Sequence, residues 1–446
     1  MKEHVWEIAI CGTFDVQNYG DLLFPIVAEA ELTKRLGAVK LHRFSYHAKS
    51  TPEWPYTVTS VAQLPNLAMR LDGVLIGGGF IIRFDKDVAP AYGPPTPEIH
   101  HPTGYWLTPA LIALQHGIPL IWNAPGMHCN IIPKWAEPLM RLVLQNSRHI
   151  RVRDKPSQEA LTYFCNDPQI GVVPDTAFGI SRMVNPQSSA ELKILRELSG
   201  LTGPYIIVQA IHCIAPFIRF VQKHPQIFEG LRVLLLPVGP VLGDHEAVIE
   251  SGFPNAVRLP SWPPPLLLAE LISHAEAVVG HSYHLAITAL ACGVPVFSSA
   301  NLSEGKYTAL LEFETIFPLP RENEDEPQWF LSRLGKSRPS SAALKALAQL
   351  DEHWDLIANI IREGKVHTQP MLGRFLQDLP NLLEAGTVQP VASVPDQRQV
   401  DQLKRDLFLA HSQITALYSS RSFRITAPLR HIVRRLSTYK TRELDD

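Results

Sequence analysis

The chain has 446 residues, more than one hydrophobic core usually holds, so two domains and an appendage are expected. Its 41 basic and 43 acidic residues nearly cancel, which argues against a nucleic-acid-binding surface spread over the whole protein. No apolar run is long enough to cross a bilayer, and Ile8 to Cys11 is too short and wrongly flanked for a signal peptide, so a cytoplasmic protein is expected.

From the N-terminus, short β-like runs alternate with helical stretches. Val5 to Cys11 reads as a strand, Leu22 to Leu36 as a helix, and Lys40 to Phe44 and Gly73 to Ile76 as strands. Trp106 to His116 reads as a helix, followed by strands at Pro119 to Asn123, Ile150 to Arg153 and Ile170 to Val173. After Ser181 to Ser199 the alternation restarts, with strands at Tyr205 to Gln209, Val233 to Pro237, Ala277 to Val279 and Val294 to Ser298. Such alternation implies parallel strands with crossover helices. The expected fold is α/β, with two Rossmann-like lobes at 1–182 and 200–385 facing a cleft. A linker-like stretch follows at 386–399, then a helical basic tail at 400–446 in which Val400 to Leu417 reads as a helix.

Between Ala89 and Pro109 lies a proline-rich segment, read either as a cleft-covering loop or as a surface excursion; its place after a glycine cluster favours the first. In the tail, Arg421 to Arg442 interleaves basic and apolar residues with no acid until Glu443. Such a helix suits peripheral contact with anionic lipid through 421–442, and equally a solvated helix end or an oligomer contact. Cys11, Cys129, Cys165, Cys213 and Cys292 are scattered and odd in number, and no Cys/His spacing suits structural zinc.

Five patterns fall at predicted strand ends, where open α/β sheets bind ligands. In the first, Asn18 and Gly20 suit a tight turn and Asp21 is placed to cap the next helix. The second is Gly77-Gly78-Gly79, which lets backbone approach a ligand. Neither is a dinucleotide fingerprint or a Walker loop, so nicotinamide and ATP lose their main support. The third and fourth are Arg153-Asp154-x-x-Ser157 and Pro174-Asp175-x-Ala177-Phe178. Arg153 with Asp154 or Asp175 reads first as an ion pair between loops, whereas Asp175 is open to a catalytic part. The fifth is the turn His281-Ser282-Tyr283-His284, entering a small-residue helix that closes at Gly293 before Pro295; His212 is expected to face it.

Taken in order, these pieces resemble the polysaccharide pyruvyl transferase family. The resemblance implies a GT-B-like fold and transfer of a pyruvyl group from phosphoenolpyruvate to a sugar of a surface polysaccharide, or of its lipid-linked precursor, as a ketal. It implies no cofactor beyond that donor substrate, no step that demands a metal, and no nucleic-acid partner. His284 is the expected acid/base and Asp175 the second catalytic candidate, with Asp21 and Asp175 expected to bind sugar hydroxyls. Asn18, Gly20, Asp21, Gly77, Gly78, Gly79, Arg153, His212, His281 and Ser282 are the expected substrate-binding residues. Many members carry arginine where this chain has Ser282, and another near His212; His212 and His281 are the candidates to replace them. The competing readings are a GT-B-like glycosyltransferase using a nucleotide sugar and a non-catalytic glycan-precursor-binding member.

Overall fold

In the computed structural model the described residues are 4–365, apart from 52–53, 85–91, 93–101, 128–132, 134–135, 165–169, 247–248, 250–251, 254 and 322–324, together with residue 377. The linker, the predicted helix Val400 to Leu417, the basic segment 421–442, Cys129, Cys165 and most of the proline-rich segment lie outside them. Among the described residues no helix is long and apolar enough to cross a membrane.

The first lobe holds β1 (Trp6–Cys11), β2 (Val39–Ser45), β3 (Thr59–Ser60), β4 (Gly73–Gly77), β5 (Leu120–Asn123), β6 (His149–Val152) and β7 (Ile170–Val172). They form a parallel sheet in the order β3-β2-β1-β4-β5-β6-β7. The second lobe holds β8 (Tyr205–Gln209), β9 (Arg232–Leu236), β10 (Ala277–Gly280), β11 (Val296–Ser298) and β12 (Ile316–Pro318), parallel in the order β12-β11-β10-β8-β9. These are the two expected Rossmann-like lobes of a GT-B-like arrangement. Strands buried on both faces read as continuous apolar runs, which is why most were visible in the sequence.

Successive strand residues point to opposite faces of a sheet, and the cores follow that rule. Ile8, Ile10, Leu75 and Ile121 enter one apolar core, whereas Ala9, Cys11, Val74, Ile76 and Trp122 enter another. The first of these cores also takes Ile207, Leu234, Leu236 and Val278 from the second lobe, so one apolar body joins the two sheets. Ile206, Val208, Leu235 and Val279 face a third core on the far side. Each sheet reverses its strand order once, between β1 and β4 and between β8 and β10. The carboxyl ends at those reversals are Cys11, Gly77, Gln209 and Gly280, the positions from which an α/β sheet presents ligand-binding loops.

Several elements differ from expectation. The helix after β1 is Tyr19–Leu36, so it starts three residues earlier than predicted and Asn18, not Asp21, is its N-cap. Within the proline-rich segment, Pro102–Tyr105 is a 3-10 turn, and the predicted helix follows it at Leu107–His116. The stretch between the lobes contains the helix Ala190–Leu198, capped by Ser189. The long helix Ser341–Glu363 belongs by sequence to the 200–385 segment but packs on the first lobe. There His353 lies 3.0 Å from both His149 Nε2 and Asn123 Oδ1, and Asp351 pairs with Arg35 at 3.0 Å.

Candidate active site

A cavity of about 480 Å³ lies between the lobes, lined from the first by Asn18, Asp21, Gly79 and Arg153 and from the second by Gln209, His281 to His284 and Lys306. Its floor is set by helix Tyr19–Leu36. Asn18 Nδ2 donates to the Tyr92 hydroxyl at 2.7 Å, and that hydroxyl donates to Asp21 Oδ2 at 2.9 Å. Tyr92 and Tyr105, of the proline-rich segment, line the cavity. Burial raises the Asp21 carboxyl above its ordinary pKa, against the opposing effects of His284, Tyr92 and Thr13.

Behind this floor sits a buried charge cluster. Arg153, 2 % exposed, donates from Nη1 to Asp175 Oδ2 at 3.3 Å, and its Nε stands 3.4 Å from Asp154 Oδ2. Its carbon Cζ lies 4.6 Å from the Phe80 ring centre and 5.3 Å from that of Tyr283. Nε and Nη2 have no hydrogen-bond acceptor among the described residues. The guanidinium is thus held between two carboxylates and two aromatic rings, with part of its donor capacity unmet among the described residues.

Asp175 Oδ1 accepts from the Ala177 N–H at 3.0 Å, capping the 3-10 helix Thr176–Arg182, and Oδ2 faces His284 Nε2 at 3.7 Å. Burial alone would raise this carboxyl, but His284, Arg153 and the Ala177 N–H together hold it below the ordinary carboxylate range. It is therefore an anion behind the imidazole, suited to steady a protonated ring. The other ring nitrogen, Nδ1, lies over Gly20, where an added methyl would meet it at 1.8 Å. The rings of Phe24 and Tyr283 stand edge-on to His284, at 5.4 and 5.6 Å.

The second lobe's histidine turn is held by Gln209. Its Oε1 accepts from the His281 and Ser282 N–H groups, both at 2.8 Å, while Nε2 donates to Asp244 Oδ2 at 2.8 Å. Asp244 Oδ2 also accepts from the Val238 and Gly239 N–H groups at 3.0 Å, so one side chain ties two loops together. Ser282 Oγ accepts from the Leu285 N–H and caps helix Tyr283–Ala291. His281 Nδ1 lies 3.1 Å from Ser299 Oγ; burial, then the charge of Lys306, lowers its pKa. Lys306 itself stands 5.2 Å from the Tyr307 ring centre and 5.7 Å from that of Tyr283. Burial, with Arg153 nearby, pushes its ammonium down to about 8. Among the described residues no group of three or more His, Cys, Asp or Glu is placed to hold a metal ion.

The sequence profile of the polysaccharide pyruvyl transferase family matches residues 18–303, from the N-cap of helix Tyr19–Leu36 to just past β11. The chain belongs to this family. No curated protein matches it. Among solved structures, the UDP-GlcNAc 2-epimerase from Neisseria meningitidis bound to UDP-GlcNAc is 14 % identical at a TM-score of 0.45, covering 84 % of this chain and 100 % of its own. Anabaena Alr3699/HepE in complex with UDP-glucose is 12 % identical at a TM-score of 0.41, with coverage of 84 % and 99 %. The E. coli ADP-heptose lps heptosyltransferase II is 13 % identical at a TM-score of 0.40, with coverage of 78 % and 99 %.

Within this pyruvyl transferase family member, the expected site residues separate by what they do. Asn18, Asp21, Gly79, Arg153, His281, Ser282 and His284 line the cavity. Asp175 does not, and acts on the cavity only through His284 and Arg153. Gly20, Gly77 and Gly78 leave room for protein rather than ligand: a methyl would strike His284 at the first, Asn123 at the second and Phe24 at the third. Gly78 also has φ +85, which favours glycine. His212 is exposed and outside the cavity, because the chain leaves β8 into the 3-10 turn His212–Ile214; Gln209, three residues earlier, faces the histidine turn instead. Lys306 and Gln209 were not foreseen. Lys306 follows β11, whose end opens on the same cleft, so a search for cations after each cleft-facing strand would have found it.

Proposed function

We propose that this protein transfers a pyruvyl group from phosphoenolpyruvate to two hydroxyls of a sugar in a surface polysaccharide or its lipid-linked precursor, forming a ketal. The observation that carries the reading is the Arg153 guanidinium with unused donors, flanked by Lys306 and facing a histidine backed by a carboxylate. Phosphoenolpyruvate carries a phosphate and a carboxylate close together, and a guanidinium fork with a neighbouring ammonium suits both. Arg153 and Lys306 thereby supply the charge that many relatives draw from arginines absent here at Ser282 and near His212.

In this reading His284, as imidazolium against Asp175, gives its proton to the vinyl carbon of the donor, leaving a cation at the adjacent carbon. A sugar hydroxyl attacks that carbon and returns a proton to His284. The bond to the phosphate oxygen then breaks, inorganic phosphate leaves, and the second hydroxyl closes the ketal, its proton passing to phosphate or water. In this reading Asp21, on the cavity wall, makes a hydrogen bond to a sugar hydroxyl. Asn18 and Ser282 offer further polar contacts at the rim.

The test is incubation with phosphoenolpyruvate and a panel of lipid-linked sugars, with mass detection of the ketal and measurement of released phosphate. His284→Ala should lower turnover on the order of a hundredfold or more while the protein stays folded. Turnover unchanged in the folded variant, or a melting temperature raised by nucleotide sugars and indifferent to phosphoenolpyruvate, would overturn the assignment.

A further inference from the structure

A second cavity, of about 550 Å³, also lies between the lobes. It is separated from the first by a backbone bridge in which the Tyr19 N–H donates to Val238 O at 3.0 Å and the Val241 N–H to Gln17 O at 3.3 Å. Neighbouring residues serve opposite sides of this bridge. Asn18, Gly239 and Leu242 line the first cavity, whereas Gln17, Pro240 and Val241 line the second.

The second cavity carries two tryptophans, Trp54 from the first lobe and Trp262 from the second. Trp262 is fixed by donation of its indole N–H to Pro237 O at 2.8 Å. Trp54 is 7 % exposed, yet its indole N–H donates to no group among the described residues. That nitrogen is not sealed from solvent, so the donor is open to a ligand. Around the rings stand Gln17, Lys49 and Ser261, exposed and with side chains not hydrogen-bonded among the described residues. Aromatic faces bordered by amide, ammonium and hydroxyl groups complement a pyranose ring, which has apolar C–H faces and a rim of hydroxyls.

We propose that this second cavity is a carbohydrate subsite that holds non-reacting sugar units of an oligosaccharide acceptor, one ring lying against Trp262 and its hydroxyls meeting the Trp54 N–H, Gln17 and Lys49. An acceptor seated in both cavities spans the bridge at residues 17–19 and 238–241. The proposal rests on the pyruvyl-transfer reading for the acceptor's role, but the presence of the subsite is testable without turnover.

Chitotetraose, cellotetraose, β-1,4-mannotetraose and β-1,3-glucotetraose, each with its monosaccharide, are titrated against the full chain with tryptophan emission as the signal and phosphoenolpyruvate omitted. At least one tetrasaccharide should bind about tenfold or more tightly than its monosaccharide, and Trp262→Ala should abolish that difference. The double variant Gln17→Ala, Lys49→Ala touches exposed side chains only and should weaken tetrasaccharide binding several-fold with an unchanged melting temperature. No preference for any tetrasaccharide, or a preference intact in both variants, overturns the proposal. Where turnover is measured, the ratio of kcat/KM for tetrasaccharide over monosaccharide should fall about tenfold in Trp262→Ala; a uniform fall in both overturns it. Absence of pyruvyl transfer alongside length-dependent binding would refute the reaction and leave the subsite standing.

Discussion

Gly20→Ala isolates the position of one imidazole from its chemistry. The new methyl would stand 1.8 Å from His284 Nδ1, 2.1 Å from Cγ and 2.5 Å from Cε1. Ordinary carbon contacts begin near 3.5 Å, so ring and helix must separate by roughly 1.5 Å. The ring has little room to retreat, since Phe24 and Tyr283 stand edge-on to it and Asp175 lies 3.7 Å from Nε2. Misplacement of a reacting group by about 1 Å can cost on the order of a hundredfold in rate, and overpacking costs roughly 1–3 kcal/mol of stability. The variant should therefore lose about two orders of magnitude in kcat, keep its KM for phosphoenolpyruvate within a few-fold, and melt several degrees lower. Phosphate release coupled to ketal formation measures the first two, and a thermal melt the third. Gly20→Ala with wild-type kcat would mean either that His284 does not carry the proton or that its placement is not critical.

The Lys306 ammonium, lowered to about 8, is charged below that pH and neutral above it, so KM for phosphoenolpyruvate should climb as pH rises through 8. Lys306→Met should raise KM at neutral pH and abolish that climb, and the same pH profile in wild type and variant would exclude the lysine from donor binding. Burial lowers His149 to about 4 and His353 well below its ordinary value, so both are neutral when folded. The unfolded chain takes up these protons first, and unfolding free energy in urea should therefore fall as pH drops from 6.5 toward 4, less steeply in His353→Gln. Equal slopes would place the acid sensitivity elsewhere. Ser282→Arg should tighten phosphoenolpyruvate binding by roughly 1–3 kcal/mol in calorimetry. It should also lose about 1 kcal/mol of stability with the cap to the Leu285 N–H. Absence of donor binding in both forms would favour the nucleotide-sugar reading.

Most of the strands are legible in the chain because buried parallel strands are apolar on both faces and end at polar turns. Tyr205–Gln209 matches its predicted limits, and the other predicted strands agree to within a residue or two. β3 and β12 were missed: they are short edge strands with no fully buried residue, whereas β7 and β11 each bury at least one. The return of Ser341–Glu363 to the first lobe depends on partners such as Asn123 and Arg35, hundreds of residues away, which no local periodicity encodes. Within the site, His281, Ser282 and His284 were legible because their turn joins a strand to a helix. The jobs of Gly20, Gly77 and Gly78 were not, since a glycine that clears space for a distant ring looks the same in sequence as one that clears space for a ligand. His212 was chosen by side-chain chemistry, but the direction in which the chain leaves β8 gave the task to Gln209.

The path of the backbone also limits how the lobes can move. It passes from the first lobe to the second through residues 183–189 and returns through 332–340, where helix Ser341–Glu363 is locked to the first lobe by Arg35 and Arg182 gripping Asp351. Two covalent crossings, the second fixed by those ion pairs, therefore tie the lobes at separate points, in addition to the apolar core that both sheets share.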